Sequence, residues 1–263
     1  MESLCPYYWV FPKTVHGGQK KLTDMMFMKT KDIHDESDKL VMSKFTLSLS
    51  NKDTYFRAIG MFYLVYKDVL RILELNMDTD QRLASLKPFI GPLLTSRVQR
   101  FEFDLEHHFG PLWRNHLDHN IVEEYLLHLS KVKTPILLVP YFYHLSLALL
   151  AGGQTIRKLV NRAFFDVSTL VFEYPGIKRF EMKAKFKERV NALLIEPNEI
   201  GFFLQESKHV FELNNSMVSR FQVNSSIAAD FVQVCVIILA SPEFHSLAAI
   251  FFGMYQIWCV VIE

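Results

Sequence analysis

Apolar positions along this chain recur at helical rather than strand spacing. From Leu22 the period is near 3.6, with Thr23 or Asp24 placed to cap the start and Phe27, Thr30, His34 and Val41 on one face. Asn51-Lys-Asp-Thr54 offers a second cap, after which Tyr55, Ile59, Phe62, Tyr63, Tyr66, Val69, Leu70 and Leu73 form a broad apolar stripe. Residues 76–97 lose the pattern, because Pro88, Gly91 and Pro92 break any long helix. It resumes over 101–117 with an interruption at Gly110-Pro111, and over 121–132 behind Asn120 as a cap. Residues 135–165 follow, broken near their start by Pro140, and Pro175-Gly176 marks a turn. Two further amphipathic helices are expected over 180–194, unusually basic, and 200–221. Strand-like alternation is almost absent and no fixed period repeats. The expected class is therefore all-α, a single multi-helical domain over residues 21–222, with residues 1–20 as an N-terminal extension.

One stretch departs from its own pattern. Leu145, Leu149, Ile156 and Val160 recur near helical spacing, yet Gly152 and Gly153 fall between them. A glycine inside a helix costs roughly 1 kcal/mol against alanine, since it loses the most backbone freedom and adds no side-chain contact. Either the helix backbone approaches a partner or a flat ligand closely there, or the pair ends one helix and starts another.

The end of the chain changes character. Residues 227–240 and 247–262 are apolar runs separated by Ser-Pro-Glu-Phe-His-Ser, with only Asp230 interrupting the first. Neither reaches the roughly 20 residues that span a bilayer. The hydrophobic tail, residues 225–263, is thus open to two readings, membrane association or a pair of core helices. A net charge of +1 with scattered basic residues argues against a nucleic-acid partner. Cys5, Cys235 and Cys259 are odd in number and far apart, which excludes a disulfide framework or a cysteine zinc site and fits a reducing, cytosol-facing environment. The first residues are aromatic and acidic, unlike a secretory signal. The ten histidines include His107, His108, His116 and His119, which lack partners at ligand spacing and are expected to be exposed.

Several motifs share one resemblance. Leu149-Leu-Ala-Gly-Gly-Gln-x-x-x-Lys158 after Tyr143, Lys29-Thr-Lys-Asp-Ile-His-Asp-Glu-Ser-Asp38, and Asp104-Leu-Glu-His-His-Phe-Gly-Pro-Leu-Trp113 resemble segments of the heme oxygenases. Phe186-Lys-Glu-Arg-Val-Asn191 with Pro197, Glu206, Lys208, Phe211, Leu213 and Asn214 extends the likeness over about residues 22–221. The resemblance implies heme b, as both cofactor and substrate, between a proximal and a distal helix. His34 would ligate the iron, a role that requires a neutral imidazole whose other N–H is held by an acceptor. Glu36 and Asp38 are near enough in sequence to supply one. Gly152 and Gly153 would bring backbone over the heme and direct oxygen, while Tyr143, Lys183, Lys187 and Phe211 would contact heme, the lysines at its propionate edge. The alternative for the lysines is a solvated basic face, which would also suit an acidic electron donor. His144 is a rival ligand, disfavoured because heme would then lie over its own helix.

That family reading implies ring opening to biliverdin, ferrous iron and carbon monoxide, with O2 and an NADPH-cytochrome reductase as partners. It also implies a tail holding the protein on the cytosolic face of the endoplasmic reticulum, the alternative being a cytoplasmic protein. Two positions depart from the family. Phe27 stands where a propionate-contacting lysine is common, with Lys29 or Lys31 as substitutes. Ala148-Leu149 replaces the Gly-Asp whose aspartate orders distal water for proton delivery. A heme-binding or heme-sensing protein with little or no ring-opening activity is therefore the alternative function, and a helical interaction domain without heme is a third.

Overall fold

A computed structural model describes residues 21–223, and among them every regular element is helical. The long elements are α1 (Leu22–Ser48) and α2 (Lys52–Asn76), followed by the short α3 (Gln81–Ala84) and α4 (Lys87–Ile90). Then come α5 (Ser96–Phe109), α6 (His119–Lys131), α7 (Val139–Leu147), α8 (Gly153–Ala163), α9 (Arg179–Asn191) and α10 (Ile200–Arg220). The predicted stripe of α2 is its core face: Tyr55, Ile59, Tyr63, Tyr66, Val69 and Leu73 are buried, and the helix packs against both α5 and α6. α1 lies along α10, which also meets α6 and α7. The proposed extension and tail lie outside the described residues.

Local chemistry explains most boundaries. The Asn51 side chain accepts from the Thr54 N–H and caps α2 as its sequence predicts. The start of α1 differs. Neither Thr23 nor Asp24 caps it; instead the Thr23 N–H donates to Asn191 Oδ1 of α9 at 2.9 Å. A helix end leaves donors without intrahelical partners, and here tertiary structure supplies one. α6 likewise starts before the expected Asn120 cap, because Asp118 accepts from the Asn120 N–H at 3.0 Å. A carboxylate at a helix N-terminus also meets the positive end of the dipole.

The proline-rich 76–97 stretch is more helical than its pattern suggests. Pro88 stands in the first turn of α4, where a missing N–H costs nothing, while Pro92 falls inside the continuous helical path, in the π turn Gly91–Thr95 that joins α4 to α5. α5 ends at Gly110, whose φ of 75° favours glycine, and the buried Trp113 then meets the Tyr63 ring edge-on at 5.1 Å. Pro135–Ala163 runs on as one helical stretch. The mean hydropathy of its most apolar 18-residue window, 1.6, would suit a membrane span, but 67% of that window is buried inside the domain, as in a core helix.

Candidate functional site

Gly152 and Gly153 do not separate two helices. Both keep right-handed helical geometry, at φ −82° and −56°, in and after a wide π turn, Ala148–Gly152, that passes the chain from α7 to α8. Such turns widen a helix locally and often occur at functional sites. The two glycines face different surroundings. A Cβ on Gly153 would stand 3.3 Å from Cδ1 of Phe172, whereas one on Gly152 would meet nothing within 4 Å. Close approach thus accounts for Gly153, with Phe172 as its partner, and Gly152 offers bare backbone to open space.

Phe172 is held from below. It lies in the 3₁₀ turn Leu170–Phe172, where Asp104 of α5 accepts from Ser168 Oγ at 2.5 Å and from the N–H groups of Leu170 and Val171 at 3.1 and 2.9 Å. Arg97, two turns earlier on α5, donates to the Val171 and Glu173 carbonyls at 2.7 and 2.5 Å and stacks over the Tyr174 ring at 3.9 Å. Both side chains belong to residues 1% exposed. Burial pushes the Asp104 carboxyl up and its three hydrogen bonds pull it back, while burial pushes the Arg97 guanidinium down. Sequence reasoning took Asp104 only as part of a motif and missed Arg97. A signal existed: the two are seven residues apart around Phe101, on the face α5 buries.

On α1, His34 has a side chain 39% exposed. Of the two acidic candidates beside it, Asp38 is the neighbour, its Oδ2 3.4 Å from Nδ1, while Glu36 is exposed. The His34 ring also meets Phe211 of α10, with centroids 5.4 Å apart and a 53° tilt. The other face of this cluster is His144, 4.8 Å from the same Phe211 ring. The two histidines singled out as rival ligands therefore meet the same aromatic side chain. They are not equivalent. His144 Nε2 is engaged by Ser207 Oγ at 2.6 Å, and burial, then the charge of His34, pushes its imidazole down to about 3, so that it stays neutral.

Three helices converge at a further edge. Burial and then Asp24 of α1 push the Tyr143 hydroxyl of α7 up. Burial pushes the Lys187 ammonium of α9 down, Asp24 opposes that, and Lys21 adds to it. Lys183 lies one turn earlier on α9 and, like Phe211, is half-buried. Leu149 is buried in the apolar core and supplies no polar group. His107, His116 and His119 are exposed as expected, but His108 is not. It stacks on Phe56 at 4.1 Å and its Nε2 lies 2.7 Å from Asp53 Oδ1, because the end of α5 packs on the start of α2.

The chain is similar in sequence and fold to known proteins. A profile of the family described as heme oxygenase matches residues 20–220. Heme oxygenase 1 of Gallus gallus is 24% identical over 220 residues, covering 80% of this chain and 73% of that protein. The Takifugu rubripes heme oxygenase is 26% identical over 204 residues, 74% of this chain and 72% of its own. The crystal structure of heme oxygenase 2 from Chlamydomonas reinhardtii, determined without heme, superposes with a TM-score of 0.74 at 25% identity over 79% of this chain and 100% of that one. Heme oxygenase-1 from Synechocystis, in complex with heme, gives 0.66 at 23% identity, covering 78% and 94%, a likeness of fold.

Proposed function

The chain belongs to the heme oxygenase family, and on that premise we propose that it binds heme b between α1 and the α7–α8 helix and opens it to biliverdin. The observation that carries this reading is the bare backbone of Gly152 on a helix that stays continuous through it. A flat macrocycle needs such a surface, and any other residue would place a side chain there. The residues present fit the group. His34 would ligate the iron through Nε2, with Asp38 Oδ2, 3.4 Å from Nδ1, orienting the ring. Lys187 and Lys183 would hold the propionates, whose negative charge complements theirs. Phe211 would pack on the ring from α10, and Tyr143 would border the same edge as Lys187.

When bound, heme supplies the redox chemistry: with O2 and NADPH-derived electrons from a cytochrome reductase, the ring is cleaved to biliverdin, ferrous iron and carbon monoxide. The chain's own part is to hold the macrocycle, keep His144 uncharged beside the site, and limit approach from the Gly152 side. Protonation is where this chain departs from its family. Leu149 offers no proton-relaying group, so water would have to be ordered by backbone carbonyls of the π turn. This favours slow turnover, and it supports a second reading in which the protein binds or senses heme without opening it. The reading extends to residues 225–263 as an attachment to the cytosolic face of the endoplasmic reticulum, to be checked by flotation of the full chain with phospholipid vesicles.

The test is an optical titration of the full chain with hemin, then addition of a cytochrome reductase and NADPH under air. Loss of the Soret band with growth of biliverdin absorbance supports ring opening; a reducible complex that never bleaches leaves heme binding alone. His34→Ala should abolish the histidine-ligated heme spectrum in either case, and an unchanged spectrum would remove His34 from its role. Leu149→Asp should raise turnover if the pocket is otherwise competent.

A further inference from the structure

His128 of α6 approaches Glu206 and His209 of α10 so that one potential ligand atom from each lies within 4.8 Å of the others. His128 Nε2 is 3.0 Å from Glu206 Oε2, and His209 Nδ1 is 3.7 Å from Glu206 Oε1. The imidazole rings are 5.1 Å apart and nearly perpendicular, at 84°. A hydrogen-bonded trio would account for His128 and Glu206. It does not account for His209, whose Nδ1 is buried without a hydrogen-bond partner. Buried polar atoms of that kind are rare, and each points to something the site still lacks.

We propose that His128, Glu206 and His209 form a binding site for a divalent transition-metal ion of the zinc type, tying α6 to α10 and distinct from His34. Two imidazoles and one carboxylate are a three-ligand zinc set, with water in the fourth position. Donors around tetrahedral zinc lie roughly 3.3 Å apart; the spacings here run to the two different oxygens of Glu206, and drawing the set, spread over up to 4.8 Å, onto one ion takes a small side-chain rotation. Ligation through Nδ1 satisfies the orphaned atom. Tyr141 donates its hydroxyl to Glu206 Oε2 at 2.5 Å, and His209 Nε2 has Gln205 Nε2 at 3.0 Å and Glu212 Oε2 at 3.6 Å; with the Gln205 amide turned to present its oxygen, both would accept the N–H that ligation through Nδ1 requires. Side-chain exposures of 29%, 14% and 31% for His128, Glu206 and His209 leave an entry path for the ion and its water.

The full chain, freed of metal with a chelator and free of heme, is titrated with Zn2+ against a chromogenic chelator and with Co2+ as a visible-absorption probe. The expected result is one ion per chain, a tetrahedral cobalt spectrum and a raised thermal midpoint with zinc. H128Q and H209Q should each weaken binding by about a hundredfold or more, Y141F by about tenfold, and H34A should leave it unchanged. E206Q keeps an oxygen for Tyr141 and His128, so it reports on ligation if a histidine variant loses helicity by circular dichroism. Stoichiometric binding retained in E206Q and H209Q, binding lost in H34A, or affinity no better than millimolar would each overturn the site.

Discussion

The two sides of the cleft proposed to take heme are built differently. On the Gly152–Gly153 side, backbone is pressed against Phe172, and Phe172's turn is fastened by a buried aspartate and a buried arginine through five hydrogen bonds to α5. On the His34 side, the key side chain is over one-third exposed, with one carboxylate at 3.4 Å and one aromatic neighbour. The contrast has a physical sense. A helix that directs a ligand by shape must resist displacement, so its support is buried and fully hydrogen-bonded. A ligating imidazole is positioned by the bond it forms and needs only a light restraint beforehand.

The sharpest way to break this comparison is Asp104→Ala. It leaves two buried N–H groups and the Ser168 hydroxyl without their acceptor, and should cost about 3 kcal/mol or more of unfolding free energy in urea. An unchanged midpoint would mean that the turn under Gly153 needs no clamp. Next in size is Gly153→Val, expected to lose about 2 kcal/mol by overpacking against Phe172. Gly152→Ala should instead keep stability or gain up to about 1 kcal/mol from helix propensity while weakening hemin binding. If both glycine variants lost stability equally, the difference between the two positions would vanish.

A pH series on the heme-free protein probes His144. Its folded value is about 3 against an ordinary 6.5, so between these the unfolded chain takes up a proton that the folded one refuses. The stabilisation from His144 is complete above about 6.5 and falls as pH drops through that window, at up to about 1.4 kcal/mol per pH unit. Its neighbours are Ser207, Tyr143 and His34, and His144→Gln should flatten the slope by the part that His144 contributes. The smallest effect is expected on the proximal side. Asp38→Asn breaks only a half-exposed pair and should change stability by about 0.5 kcal/mol or less in the same urea assay.

Much of the scaffold was legible from residue order. The α2 stripe and its Asn51 cap are local features, read within one or two turns, and the structure keeps both. The cap of α1 was not legible, because its acceptor, Asn191, is 168 residues away. The candidate site was legible only in pieces. His34, Phe211 and His144 each stood out or belonged to a motif, but nothing in their spacing said that both imidazoles meet one phenyl ring. Asp24 drew attention only as a possible cap, and its effect on Tyr143 and Lys187 arises where three helices meet.

Periodicity, proline and glycine placement and motif order were enough for the all-α class, the extent of most helices and the family, since these depend on neighbours along the chain. Which glycine meets Phe172 and which faces open space, which acid approaches His34, and where a buried Arg97 finds its carbonyls all depended on packing. Those are contacts between residues far apart in sequence, set when the hydrophobic faces close on one another and every buried polar group must find a partner.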